Sequence, residues 1–483
     1  MRFLMSKCLT ALCVLLAAVG PSWAGETTSP SREQAADALE HAVEFFDNEV
    51  SVEGGYLWRY KADLTLREGE GKASASQAWV QPPGTPSVGM AFLRAYQKIG
   101  DPYLLEAARH SAHALAKVQL VSGGWHYSIE FNPEKRGAYA YRVDSPEAEG
   151  RNVSTLDDDV TQSALRFLMQ VDQTLKFDDE TIHEAVMYGL EKLFAAQYPN
   201  GAWPQRFTDP PDPEKYPVKP ASYPDEWSRE YPSKNYMSYY TFNDNTIRDA
   251  IKTLFDAAEI YDRSDCREAA LRAGDFIILA QMPDPQPGWA QQYDADMHPA
   301  WARKFEPPAV TGGESQGVMR TLLYLYRKTG DAKYLEPLPR ALDYYEKSAL
   351  PDGRLARFYE LRTNKPLYFT KDYQLTYSSD DMPTHYAFIV GSSLPSIRKE
   401  YERLKEMPPE KLQAKSTPST PRLTPELAAK AQQVIKALDE RGAWTEAGDL
   451  QYHKAGSADR VIDCRTFIRN VGVLSDYLAA MEE

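Results

Sequence analysis

Four stretches of the chain carry polar residues whose types and spacing could do chemistry. The first, Ser154-Thr155-Leu156-Asp157-Asp158-Asp159-Val160-Thr161, sets three consecutive carboxylates before a helical pattern. Acidic residues suit a helix N-cap and first turn. Three in a row exceed that need, and they repel one another unless a cation or basic group lies nearby. The second, Tyr239-Tyr240-Thr241-Phe242-Asn243-Asp244-Asn245-Thr246-Ile247, places Asn243 as a cap, with Asp244 and Asn245 at the first turn of the next helix. Their oxygens, together with Asp157 or Asp158, could hold a hard cation. Calcium takes oxygen ligands, and a carboxyl and amide set without His or Cys suits it better than zinc. No HExxH, CxxC or twelve-residue EF-hand loop is present, and the eight His are scattered.

The third stretch, Pro299-Ala300-Trp301-Ala302-Arg303-Lys304-Phe305-Glu306-Pro307-Pro308, runs on to Thr311-Gly312-Gly313-Glu314-Ser315. The two cations read equally well as a plain surface pair. The glycine turn leading into a helix makes an anion-friendly N-terminus. The fourth, from Arg357 to Lys371, mixes cations with aromatics. Cations for carboxylates and aromatic faces for rings are the combination a sugar-acid polymer needs.

Helices must position these segments. Apolar residues at three- and four-residue spacing predict paired helices over 87–100 with 103–120, 159–175 with 179–197, 244–261 with 266–281, and 314–328 with 332–348. Breakers such as Gly100-Asp101-Pro102 and Thr329-Gly330-Asp331 make each pair an αα-hairpin. Glycine-aromatic turns come after the pairs: Gly124-Trp125, Gly201-Ala202-Trp203 and Gly288-Trp289, about eighty residues apart, with similar turns at Gly55-Tyr56 and Gly442-Ala443-Trp444. Each Trp taken singly reads as packing for a hairpin end. Taken together they predict an all-α chain whose hairpins circle an axis, an incomplete or complete α/α toroid with its glycine turns gathered at one end.

Residues 206–237 hold seven prolines with no periodicity, and their aromatics suit a cleft wall. Residues 408–423 read as a linker. A last helical segment, 424–483, opens with Thr424 as N-cap and Pro425 at the first helical position and could close the toroid. The catalytic toroid is expected over 25–407. Residues 1–24 form a secretory signal: Arg2 and Lys7, an apolar run from Leu9 to Val19, then Ser22-Trp23-Ala24. The expectation is an exported or periplasmic monomer with no membrane span. The formal charge of −14 argues against nucleic acid, since no positive surplus exists to neutralise phosphates. Whether Cys266 and Cys464 pair stays open.

These residues resemble a known family. Thr241 to Asn245 and Pro299 to Pro308 are similar to signature segments of the family 10 pectate lyases. Gln197 to Gln205 and Ala356 to Glu360 also match, in the family's order, within a span from about Leu115 to His385. The resemblance implies an α/α toroid, secretion, calcium dependence and β-elimination of polygalacturonate (pectate). By position, Arg303 matches the family's catalytic base, Asp244 its calcium-binding aspartate and Asp157 an aspartate of the active-site cleft. Asn245 is expected beside Asp244 at the metal. Asp158, Trp203, Lys304, Arg357 and Lys371 are expected on the substrate. Asp158 and Asp159 depart from the family's Asp-Asn-x pattern, and Lys371 and Tyr373 stand where Arg and Gly are usual. Two rivals remain: a glycoside hydrolase using Asp157 with Asp244 or Glu306, and a non-catalytic uronate-binding protein.

Overall fold

The computed structural model describes residues 29–145, 147–412 and 421–482; the signal-like segment 1–24 and part of the linker-like stretch lie outside them. The helices of the described residues are α1 (Arg32–Phe45), α2 (Thr85–Ile99), α3 (Pro102–Lys117), α4 (Val160–Thr174), α5 (Glu180–Ala195), α6 (Thr246–Tyr261) and α7 (Ser264–Leu279). They continue with α8 (Glu314–Thr329), α9 (Leu338–Lys347), α10 (Leu394–Lys405), the single turn α11 (Pro409–Leu412), α12 (Pro425–Ala437) and α13 (Cys464–Ala480).

Local chemistry sets the hairpins. Gly100, at φ 71°, ends α2 with its N–H on the Tyr96 carbonyl. Asp101 then caps α3 by accepting from Tyr103 N–H at 3.0 Å, with Pro102 at the first helical position. The expected pairs α2/α3, α4/α5 and α6/α7 pack, whereas α8 of the fourth expected pair packs on the 3-10 turn Ala332–Tyr334 ahead of α9 and on α10; α12 and α13 form a further pair. One member of each pair continues around the ring: α13 packs on α2, α2 on α4, α4 on α6, and α6 on α8, while α10 closes on α8 and α9. This is an incomplete α/α toroid. Its core is a single large apolar cluster in which Phe92, Leu165, Leu168, Ile251 and Leu254 are all buried.

Two boundaries differ from the periodic reading. The helix expected over 332–348 starts only at Leu338, after a 3-10 turn at Ala332–Tyr334, because Pro337 cannot supply a helical N–H. The α12 helix stops at Ala437, where Leu438 turns extended and bridges Trp444. Helices α1 and α10 lie outside the periodic pairs. Cys266 and Cys464 are both buried free thiols, so they do not pair.

The glycine-aromatic turns share one geometry. Each indole N–H reaches back to a carbonyl in the preceding outer helix: Trp125 to Leu115 at 2.9 Å, Trp203 to Leu193 at 2.9 Å, Trp289 to Ile277 at 2.8 Å and Trp444 to Val434 at 2.9 Å. Gly201 shows why glycine precedes the ring: at φ 93°, a Cβ there would lie 2.1 Å from the Arg272 carbonyl oxygen. The backbone carbonyls of Trp125, Trp203 and Trp289 then accept from Thr155, Thr241 and Thr311 N–H, each just before an inner helix. Short antiparallel strands, such as Ser154–Thr155 with Arg206–Phe207 and Tyr240–Thr241 with Gln292–Tyr293, gather there at one end of the ring.

Candidate active site

The acidic segments meet because α4 and α6 are neighbours in the ring. The turns before them, Asp157–Asp159 and Asn243–Asn245, pack against each other. Both use the same backbone. Asp158 and Asp159 take φ 49° and 62°, and Asp244 and Asn245 take 45° and 62°, consecutive left-handed residues of the kind Asp and Asn tolerate best. Gln162 Nε2 ties the turns together by donating to the Leu156 carbonyl at 2.7 Å and to the Thr246 carbonyl at 3.4 Å. As a result, carboxylate oxygens of Asp157, Asp158 and Asp244 lie within 4.8 Å of one another at two positive helix ends.

Each member has a fixed partner. Tyr127 O–H donates to Asp157 at 2.7 Å, Gln81 Nε2 to Asp158 at 2.9 Å and Asn243 Nδ2 to Asp244 at 2.7 Å. The other oxygen of Asp157 is buried with no hydrogen-bond partner. Burial and then the charges of Asp157 and Glu70 raise Asp158 to about 6, although Arg303 and Arg206 pull it back. Loss of water and then Asp157 and Asp158 raise Asp244 to about 8, even though that side chain opens to solvent on one side. Three crowded carboxylates with an orphaned buried oxygen fit a hard divalent cation: they supply oxygen only, and a cation would satisfy the orphan and cancel the repulsion.

Opposite them stands a cationic wall. The Arg303 guanidinium donates to buried Glu306 at 2.5 Å, and Arg303 N–H donates to the other Glu306 oxygen at 3.1 Å. Burial alone would lower the guanidinium pKa, but the bond and charge of Glu306 outweigh it and hold the proton on Arg303 more firmly than usual. Tyr386 O–H also donates to Glu306, at 2.9 Å. Arg357 donates to Glu314 at 2.7 Å and lies over the Tyr386 ring at 4.5 Å. This wall hangs on the strand Phe358–Glu360, paired antiparallel with Ala309–Thr311, and on an aromatic cluster of Trp301, Phe305, Phe358 and Phe388. The proline-rich stretch 206–237 packs along it: Trp301 Nε1 donates to the Ser228 carbonyl, and Arg229 pairs with Glu360.

The family model for pectic acid lyase matches residues 119–352, which include the acidic triad and Arg303. Residues 119–352 belong to the pectic acid lyase family. The chain is therefore a polysaccharide lyase. The chain aligns with a family 10 polysaccharide lyase from Cellvibrio cellulosa at 22% identity over 61% of this chain and 92% of that one, with a TM-score of 0.45. An aspartate-to-alanine mutant of the Cellvibrio cellulosa lyase, in complex with trigalaturonic acid, aligns at 20% identity over 66% and 98% of the two chains with a TM-score of 0.45. A cellobiose 2-epimerase from Spirochaeta thermophila aligns at 13% identity over 94% and 97%, with a TM-score of 0.43. No curated protein matches the chain in sequence.

Within this lyase the structure brings together Asp157, Asp158 and Asp244, with Arg303 close enough to shift Asp158 and Asp244. Asp158, offered by its residue type to a cation and by the resemblance to the substrate, shares the candidate cation cluster. Asn245, expected at the metal, is turned toward α8: its Oδ1 lies 3.4 Å from where a Cβ on Gly317 would stand. Its counterpart Asp159 likewise leaves the cluster, to pair with Arg166 at 2.6 Å. Trp203 is wholly buried behind its turn and offers no face to a sugar. Lys304 sits 3.5 Å over the Tyr373 ring, and Lys371 is an exposed partner of Asp381 at 3.1 Å.

Sequence reading misses Tyr127, Gln81, Gln291 and Tyr386. A signal for two of these exists. The residue two past three of the hook tryptophans is buried or bonded at this end: Tyr127 on Asp157, Gln291 beside Tyr386, and Gln205 buried with an unpartnered oxygen.

Proposed function

We propose that the protein is an exported pectate lyase that cleaves polygalacturonate by calcium-assisted β-elimination and leaves a 4,5-unsaturated end. The observation that carries this reading is the acidic triad facing Arg303 inside the region of the family match. Calcium, held by Asp157, Asp158 and Asp244, would neutralise the uronate carboxylate and make the C5 proton removable. Tyr127 and Gln81 orient two of those carboxylates. Lys304 and Arg357 supply charge for neighbouring uronates, with the aromatics of the wall beside them. Export rests on the basic start and apolar run of residues 1–24.

The resemblance gives Arg303 the proton-abstracting role. In the resting protein Glu306 keeps Arg303 protonated, so abstraction requires that pair to open. The pair itself favours a second reading in which Arg303 stays cationic and stabilises charge developing on the substrate. The deciding experiment for the reaction is incubation with polygalacturonate while following absorbance at about 235 nm, where a conjugated unsaturated uronate absorbs. New reducing ends without absorbance would mark a hydrolase. Binding without new ends would mark a binding protein.

A further inference from the structure

A cavity of about 570 Å³ opens on the axial side of the ring, where three successive inner helices converge. Ser87, Met90 and Arg94 line it from α2, Ser163 and Arg166 from α4, and Arg465, Ile468 and Arg469 from α13. These three- and four-residue spacings put one face of each helix on the same space. Four guanidiniums thus meet in a chain whose formal charge is −14. The one carboxylate in the lining, Asp159, is taken up by Arg166 at 2.6 Å. Arg465 approaches Asp463 only at 3.9 Å, Arg469 bonds to Asn470 and Thr466, and Arg94 makes no ion pair among the described residues. Cations concentrated in a concavity focus a positive potential that draws anions out of solution.

We infer that this cavity is a second anion site, built by Arg94, Arg166, Arg465 and Arg469, that takes a uronate oligosaccharide. Guanidiniums pair with carboxylates, and Met90 and Ile468 give the cavity an apolar side for the faces of sugar rings. Its volume falls within the range that holds small ligands. The site stands back to back with the acidic triad across a single turn: Asp158 faces Gln81 and the triad, and Asp159 faces the cavity. Arg94, Arg465 and Arg469 lie outside residues 119–352 and Arg166 inside them, so the flanking parts of the chain supply three of the four arginines. That the ligand is a sugar acid rests on the lyase reading; that it is an anion does not.

The test is calorimetric titration of the full chain with trigalacturonate, in chelator, for the parent, Asp244→Ala, and a double variant Arg94→Ala with Arg469→Ala. Binding should persist in chelator and in Asp244→Ala, weaken with added salt, and fall about tenfold or more in the double variant. A Lys pair at the same positions should recover part of it, and an unchanged melting temperature shows that lost affinity is not lost fold. Binding indifferent to both arginines overturns the site. Inorganic phosphate bound as tightly through the same arginines overturns its assignment to a uronate. Absent turnover of polygalacturonate with arginine-dependent binding intact removes the lyase reading and leaves the site; the reverse result removes the site and leaves the lyase.

Discussion

Replacing Asp158 by Asn should make the metal-free protein more stable and its response to calcium weaker. Carboxylate oxygens of the triad all lie within 4.8 Å of one another. Two unit charges at that spacing repel by about 1 kcal/mol in bulk water and by about 3–4 kcal/mol at the effective screening typical of protein sites. Asp158→Asn removes two of the three repulsions and keeps an oxygen for Gln81 Nε2. Part of the repulsion is already relieved by protonation, since Asp158 sits at about 6 and Asp244 at about 8. Water reaches Asp244 and screens the rest, so a gain of about 1–2 kcal/mol is expected. The sign with pH is fixed: both groups are raised above their unfolded values, so their contribution is full at low pH and lost as pH rises through about 6 and then about 8. The advantage of the variant should therefore be small at pH 5 and grow toward pH 9. Calcium reverses the order. A ligand at a hundredfold excess over its dissociation constant adds about 2.7 kcal/mol, and the variant should receive less of it. Thermal unfolding in chelator and in calcium, across pH, reads both effects. An Asn variant that melts lower in chelator, or that gains as much from calcium as the parent, would falsify the triad as a cation site and make it a set of structural hydrogen bonds.

Chelator should abolish lyase turnover and calcium restore it, as read by absorbance at about 235 nm; full activity in chelator removes the metal from the mechanism. Arg303→Ala should cut turnover by several orders of magnitude without unfolding the chain. Arg303→Lys should fail to rescue a base and should keep substantial turnover if Arg303 acts as a charge clamp, so the Lys variant's kcat separates the two roles. Trp289→Phe should keep most of the packing but leave the buried Ile277 carbonyl without its donor, costing about 1–3 kcal/mol in denaturant unfolding; a neutral result would mean the hook contributes only area. Gly201→Ala should destabilise by more than about 1 kcal/mol, because both its φ and the Arg272 carbonyl oppose a side chain.

Residues alone reveal whatever is written in local chemistry. Gly100, Asp101 and Pro102 stop one helix and start the next by rules that operate within five residues, so the hairpins are legible. Pro337 is equally visible, but the apolar spacing around it runs on unbroken, which is why the periodic reading starts α9 too early. The acidic residues are recognisable as a group. Their facing depends on α4 and α6 being neighbours and on two left-handed backbone positions, neither of which a spacing pattern encodes. That is why the sequence leaves Asp158 between cation and substrate and reads Asn245 as a ligand: in each turn the middle residue points inward and the third leaves. Trp203 misleads for a related reason, since aromatic type alone does not distinguish a ring that meets solvent from one that fastens a helix end. Tyr386 and Gln81 lie far in sequence from the residues they hold, and only tertiary structure connects them.

The tryptophan hooks have a consequence for how this ring can vary. Each hook lies entirely within its own hairpin, joining a turn to the helix just before it. The fastening is finished before the chain sets out across the cleft end, so it places no constraint on the length of the segment beyond it. The thirty or so residues between the Trp203 turn and the strand at Tyr240 illustrate this freedom. Segments could be lengthened, shortened or exchanged at these points while the framework and its paired aspartate turns stay in register. A family on this plan can diverge in substrate choice by grafting at a few marked seams, and libraries confined to those seams should retain folded members far more often than libraries spread across the helices.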